Sequence, residues 1–109
     1  MKIKIGDQSF KLKLLSREKY DEVMDEDSES EAMTDLNDNT ITFAEDSTNF
    51  PSVVRHELFH AYFSLNLVNS SNLDMVQTEE LSAEIVGKYG EDIVKLGKKI
   101  TTWIKKKKS

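Results

Sequence analysis

Pro51-Ser52-Val53-Val54-Arg55-His56-Glu57-Leu58-Phe59-His60-Ala61-Tyr62-Phe63-Ser64-Leu65 is the stretch on which the reading of this chain turns. Pro51 suits the first turn of a helix, because its ring fixes φ near the helical value and its missing N–H is one that a helix start leaves unbonded anyway. The segment therefore predicts a helix running to about Leu65. His56 and His60 are the only histidines of the chain, and residues four apart lie on one helical face, so both imidazoles can reach one ion. Glu57 would stand beside that ion without binding it, where its carboxylate can take a proton from water.

Two histidines do not complete a catalytic zinc site, which usually takes three protein ligands and keeps one position for water. With no cysteine and no further histidine, the third ligand has to be a carboxylate. Downstream, Leu81, Ile85 and Tyr89 have helical spacing, and that segment offers Glu79, Glu80 and Glu84. Glu80 and Glu84 share a face, while Glu79 lies about 100° from Glu80 at 3.6 residues per turn. Ala83 and Gly87 flank the Glu80/Glu84 stripe and would let the two helices approach closely. Glu80 is the first choice, ahead of Glu84 and then Glu79. In that arrangement Glu84 would orient a ligand histidine through its free ring nitrogen.

Working outward, Ile3 and Ile5, then Phe10, Leu12 and Leu14, alternate with polar residues around Gly6-Asp7, the period-2 pattern of a β-hairpin. Ser16 can cap a short helix to about Asp25, with Tyr20, Val23 and Met24 inward. Residues 25–31 contain no apolar member and predict a solvated loop. Residues 32–36 and 40–43 flank Asn37-Asp38-Asn39 and predict a second hairpin, whose second strand is expected to form an open edge. Residues 66–74 read as a loop, and Gly90 is expected to end the glutamate helix. From Glu91 onward, Ile93, Val94, Leu96, Ile100, Trp103 and Ile104 predict a separate amphipathic C-terminal helix. The expected fold class is α+β, one domain over residues 1–109. Its short, mostly antiparallel sheet packs against the histidine helix, the glutamate helix and the final helix.

Bulk composition narrows the function. With 38% apolar residues in 109, the chain can build one modest core. A net charge of −5 argues against nucleic acid as the main partner. The alternating N-terminus lacks the continuous apolar stretch of a signal peptide or membrane span. The absence of cysteine suits a reducing cytoplasm, so a soluble cytoplasmic protein is expected.

The motif pair resembles a known family. Thr78-Glu79-Glu80-Leu81-Ser82-Ala83-Glu84-Ile85-Val86-Gly87-Lys88-Tyr89-Gly90, some nineteen residues after His60, is similar to the second signature of minimal gluzincin-like zinc metallopeptidases of phages and mobile elements. The resemblance covers roughly residues 32–90. It implies a small zincin-like domain, His56, His60 and Glu80 as zinc ligands, Glu57 as catalytic base and Glu84 as the supporting group. Metzincins are excluded, because Phe63 and Asn66 stand where their glycine and third histidine would be.

The expected function is zinc-dependent hydrolysis, a peptidase acting on a peptide or protein that pairs as a strand along residues 40–43. One competing reading is a metal-binding or protein-interaction scaffold without turnover, since the chain is short for a peptidase. Another is an interaction module for nucleic acid or an anionic surface acting through the lysines at 105–108, which also simply complement the dipole of a helix end.

Overall fold

The computed structural model describes residues 1–24, 30–66 and 74–108. In chain order they form β1 (Lys2–Ile5), β2 (Gln8–Leu15), α1 (Arg17–Met24), β3 (Ala32–Asp35), β4 (Thr40–Ala44), α2 (Phe50–Leu65) and α3 (Met75–Lys108). Residues 25–29 of the acidic loop expected at 25–31, and residues 67–73 of the loop expected at 66–74, lie outside the described residues.

The four strands make one mixed sheet in the order β1-β2-β4-β3. β1 and β2 form the expected hairpin, with Ile3 opposite Phe10, turning at Gly6, whose φ of +62° is open to glycine without steric cost. β3 and β4 form the second, turning through Asn39 at φ +52°, a residue type that tolerates the left-handed region. The third pairing is parallel, β2 beside β4 with Leu12 level with Ile41. Parallel neighbours need a crossover rather than a tight turn, and α1 lies within it. Ser16 starts α1 as expected, accepting a hydrogen bond from the Lys19 amide at 3.3 Å. The fold is thus α+β, with two of the three strand pairings antiparallel.

That order corrects the expected open edge. Residues 40–43 belong to β4, which has a strand on each side, and the free edge on that side of the sheet is β3. The hairpin was legible, but the parallel contact that encloses β4 joins residues about thirty apart and leaves no local trace.

Ile3, Ile5, Phe10, Leu12, Ile41 and Phe43 turn one sheet face inward, and α2 lays Val54, Leu58 and Ala61 against them. Leu58 is fully buried. Leu58→Ala is therefore expected to lower stability by about 2–5 kcal/mol, as lost transfer energy plus the cavity left behind. Urea unfolding measures it, and a loss below about 1 kcal/mol would show that the helix is not seated on the sheet as described.

α3 is one helix of 34 residues, so the expected break at Gly90 is not there. Its start is a reciprocal box: the Asp74 carboxylate accepts from the Gln77 amide at 2.7 Å, and the Gln77 side chain accepts from the Asp74 amide at 3.1 Å. Interior glycine costs a helix about 1 kcal/mol relative to alanine. Packing offsets that cost, since buried Ile85 before the glycine and Ile93, Ile100 and Ile104 after it all join the same core.

Candidate metal centre

The direction of each side chain on α2 follows from helix geometry. With Leu58 pointing into the core, His56 and His60 stand about 160° away, and Glu57 about 100° to one side, at 100° per residue. Both histidines are accordingly exposed, while Glu57 is only 7% exposed, on the flank that faces β3. Asn49 caps the start of α2, its side chain accepting from the Ser52 amide at 3.4 Å.

The two imidazoles converge. Their Nε2 atoms are 3.0 Å apart and the rings meet edge to face at 80°. Two Zn–N bonds of about 2.0–2.1 Å at a tetrahedral angle would hold the nitrogens about 3.3 Å apart. The pair fits one ion after an adjustment of a few tenths of an ångström. The structure therefore brings together His56, His60 and Glu57 of the expected residues.

Glu80 and Glu84 are placed elsewhere. α3 runs antiparallel to α2, with Gly97 against Val54 and Arg55 and the Tyr89 ring 5.0 Å from that of Tyr62. Glu84 shares a hollow with Asn66, just past the end of α2. Glu80, nine residues before Tyr89, stands about 13 Å further back along the axis, beyond α2 altogether. Both glutamates are exposed, as is Glu79. The α3 flank is also the wrong one, because His56 and His60 lie about 100° and 140° round α2 from Arg55. Among the described residues, no group of three His, Asp or Glu is placed to hold an ion.

Glu57 has a partner that the sequence did not announce. The Thr34 hydroxyl, on edge strand β3, donates to Glu57 Oε2 at 2.6 Å. Only the alternation of β3 hints at it, and only once α2 is known to lie beside that strand. Thr34→Val keeps the shape but removes the donor, leaving a buried carboxylate short of a hydrogen bond at an expected cost of about 1–3 kcal/mol. Thermal melts of the metal-free protein would measure this, and an unchanged midpoint would show that water replaces the hydroxyl.

Two hollows flank this pair along β3. One, of about 550 Å³, is walled by His56, Glu57, Glu31, Arg17 and Asp46. The other, of about 400 Å³, is walled by His56, Glu57, His60, Thr34, Met33 and Leu36. His56 and Glu57 belong to both, so they stand midway along one trough whose outer rim is β3. In the first hollow Arg17 donates through Nε and Nη2 to Asp46 at 3.0–3.2 Å and through Nη1 to Asp21 and the Ser30 carbonyl. Those hydrogen bonds hold the Asp46 carboxyl below its usual range. Burial pushes the Tyr20 hydroxyl up. A hydrogen bond with Ser30 Oγ at 2.8 Å works against that shift, and the nearby negative charge of Glu57 adds to it.

No family model, curated protein or solved structure matches the chain.

Proposed function

We propose that the protein is a zinc-dependent hydrolase, most simply a peptidase of the gluzincin type, in which His56 and His60 hold the metal and Glu57 is the general base. The observation that carries the reading is the 3.0 Å approach of the two Nε2 atoms beside a buried carboxylate in a trough. A zinc ion there would lower the pKa of bound water to about 7, so that hydroxide is available at neutral pH, and would polarise a carbonyl.

The chain's own residues would do the rest. Glu57, held by Thr34, accepts a proton from the attacking water and returns it to the leaving amine. β3, the free edge along the trough, can pair with an extended peptide through main-chain hydrogen bonds, which give affinity with little sequence selectivity. A carboxylate is still needed as third ligand, and Glu80 remains the proposed one.

The placement of Glu80 beyond α2 favours a second reading, a metal-binding scaffold without turnover. Metal binding itself is tested first. At a zinc concentration a hundred times its dissociation constant, binding stabilises the fold by about 2.7 kcal/mol, a rise in Tm on the order of 10 °C for a domain of this size. His60→Ala, an exposed position, is expected to abolish that rise. A wild type whose Tm ignores zinc would end both readings.

A further inference from the structure

Where the first turns of α2 meet the second half of α3, Arg55, Lys98 and Lys105 line a hollow of about 320 Å³. Val94, Thr101 and Thr102 complete much of its wall, and among the described residues no carboxylate lines it. Positions 94, 98, 101 and 105 recur at spacings of four, three and four, so they form one stripe of α3. At Gly97 α3 lies close against α2. A Cβ there would stand 3.4 Å from Arg55 Cγ and 4.0 Å from Val54 Cγ1, so the arginine stem lies against α3.

Among the described residues none of these three cations has an ion-pair or hydrogen-bond partner. The neighbouring lysines are engaged differently: Lys107 lies over the Trp103 ring and Lys108 over Phe50. The threonine hydroxyls have already given their protons, Thr101 to the Gly97 carbonyl at 2.7 Å and Thr102 to the Lys98 carbonyl at 2.9 Å. A guest therefore meets donors that are all charged. Three positive charges around one hollow repel one another, and a ligand with several oxygens and two negative charges relieves that repulsion while matching the guanidinium fork.

We propose that this hollow binds a phosphoryl dianion, either inorganic phosphate or the phosphate of a small phosphorylated metabolite. The site lies on a different flank of α2 from His56 and His60 and does not depend on the metal reading.

The test is a titration of the full chain at pH 8 and constant ionic strength, followed by amide and side-chain NMR shifts. Inorganic phosphate and ribose 5-phosphate are compared, with sodium chloride and sodium acetate as controls. Saturable 1:1 binding is expected, with shifts centred on Arg55, Val94, Lys98 and Thr101. Lys98→Gln and Lys105→Gln are each expected to weaken it about tenfold, the worth of one charge-assisted hydrogen bond, while Lys95→Gln, outside the hollow, leaves it unchanged. Tighter binding of the ester points to a phosphorylated metabolite, and equal or weaker binding points to free phosphate. Shifts that never saturate, that chloride reproduces, or that fall equally in Lys95→Gln would overturn the proposal. Thermal melts of each variant separate a lost site from a lost fold.

Discussion

Glu57→Gln is expected to leave zinc bound one to one and to slow hydrolysis of an unfolded protein substrate by about 10²–10⁴-fold, the usual contribution of a positioned general base. Glutamine keeps the shape of the side chain, and its amide oxygen can still accept from Thr34, whose hydroxyl now donates at 2.6 Å. It cannot take the proton. The comparison is clean because Glu57 is not counted among the ligands: His56 and His60 make their 3.0 Å approach without it. Metal content and rate are measured on the same samples. If both proteins hold zinc and the wild type shows no hydrolysis that the variant lacks, the enzyme reading fails and the non-catalytic scaffold stands.

What the sequence disclosed was what neighbours along the chain decide. The alternation in β1 and β2, the cap at Ser16, the turn at Asn39 and the helix containing His56 and His60 each depend on residues within a few positions of one another. Even the exposure of the histidines and the burial of Glu57 follow from counting 100° per residue away from Leu58. Contacts between distant segments were not legible. The parallel pairing of β2 with β4 hides the strand expected to be open and passes the free edge to β3. The hydrogen bond from Thr34 to Glu57 depends on that same rearrangement. Gly90 illustrates the reverse problem: its local preference was read correctly, but Ile85 and Ile93 on either side are held in one core, and burial outweighs a penalty of about 1 kcal/mol.

Gly90 also bears on the third ligand. If Glu80 is to join His56 and His60, the first turns of α3 must leave the line they now follow, and the helix bends most readily near Gly87 and Gly90. The first turn is held lightly, Met75 being 80% exposed and Val76 62%, although Ile85 further on is buried in the core. A Cβ at Gly87 meets nothing within 4 Å, and one at Gly90 meets only Val86 Cγ1 at 4.0 Å. The double substitution Gly87→Ala/Gly90→Ala therefore fits the straight helix and is expected to stabilise the metal-free protein by about 1–2 kcal/mol. If zinc requires the bend, the same variant opposes binding by a similar amount, and zinc affinity falls about fivefold to thirtyfold. Glu80→Ala should then weaken zinc at least as much, while Glu84→Ala has the smaller effect. Calorimetric titration alongside thermal melts reads both quantities. Higher stability with unchanged zinc affinity in the double variant, together with unchanged affinity in Glu80→Ala, would remove Glu80 from the site and leave the two histidines to find their third partner elsewhere.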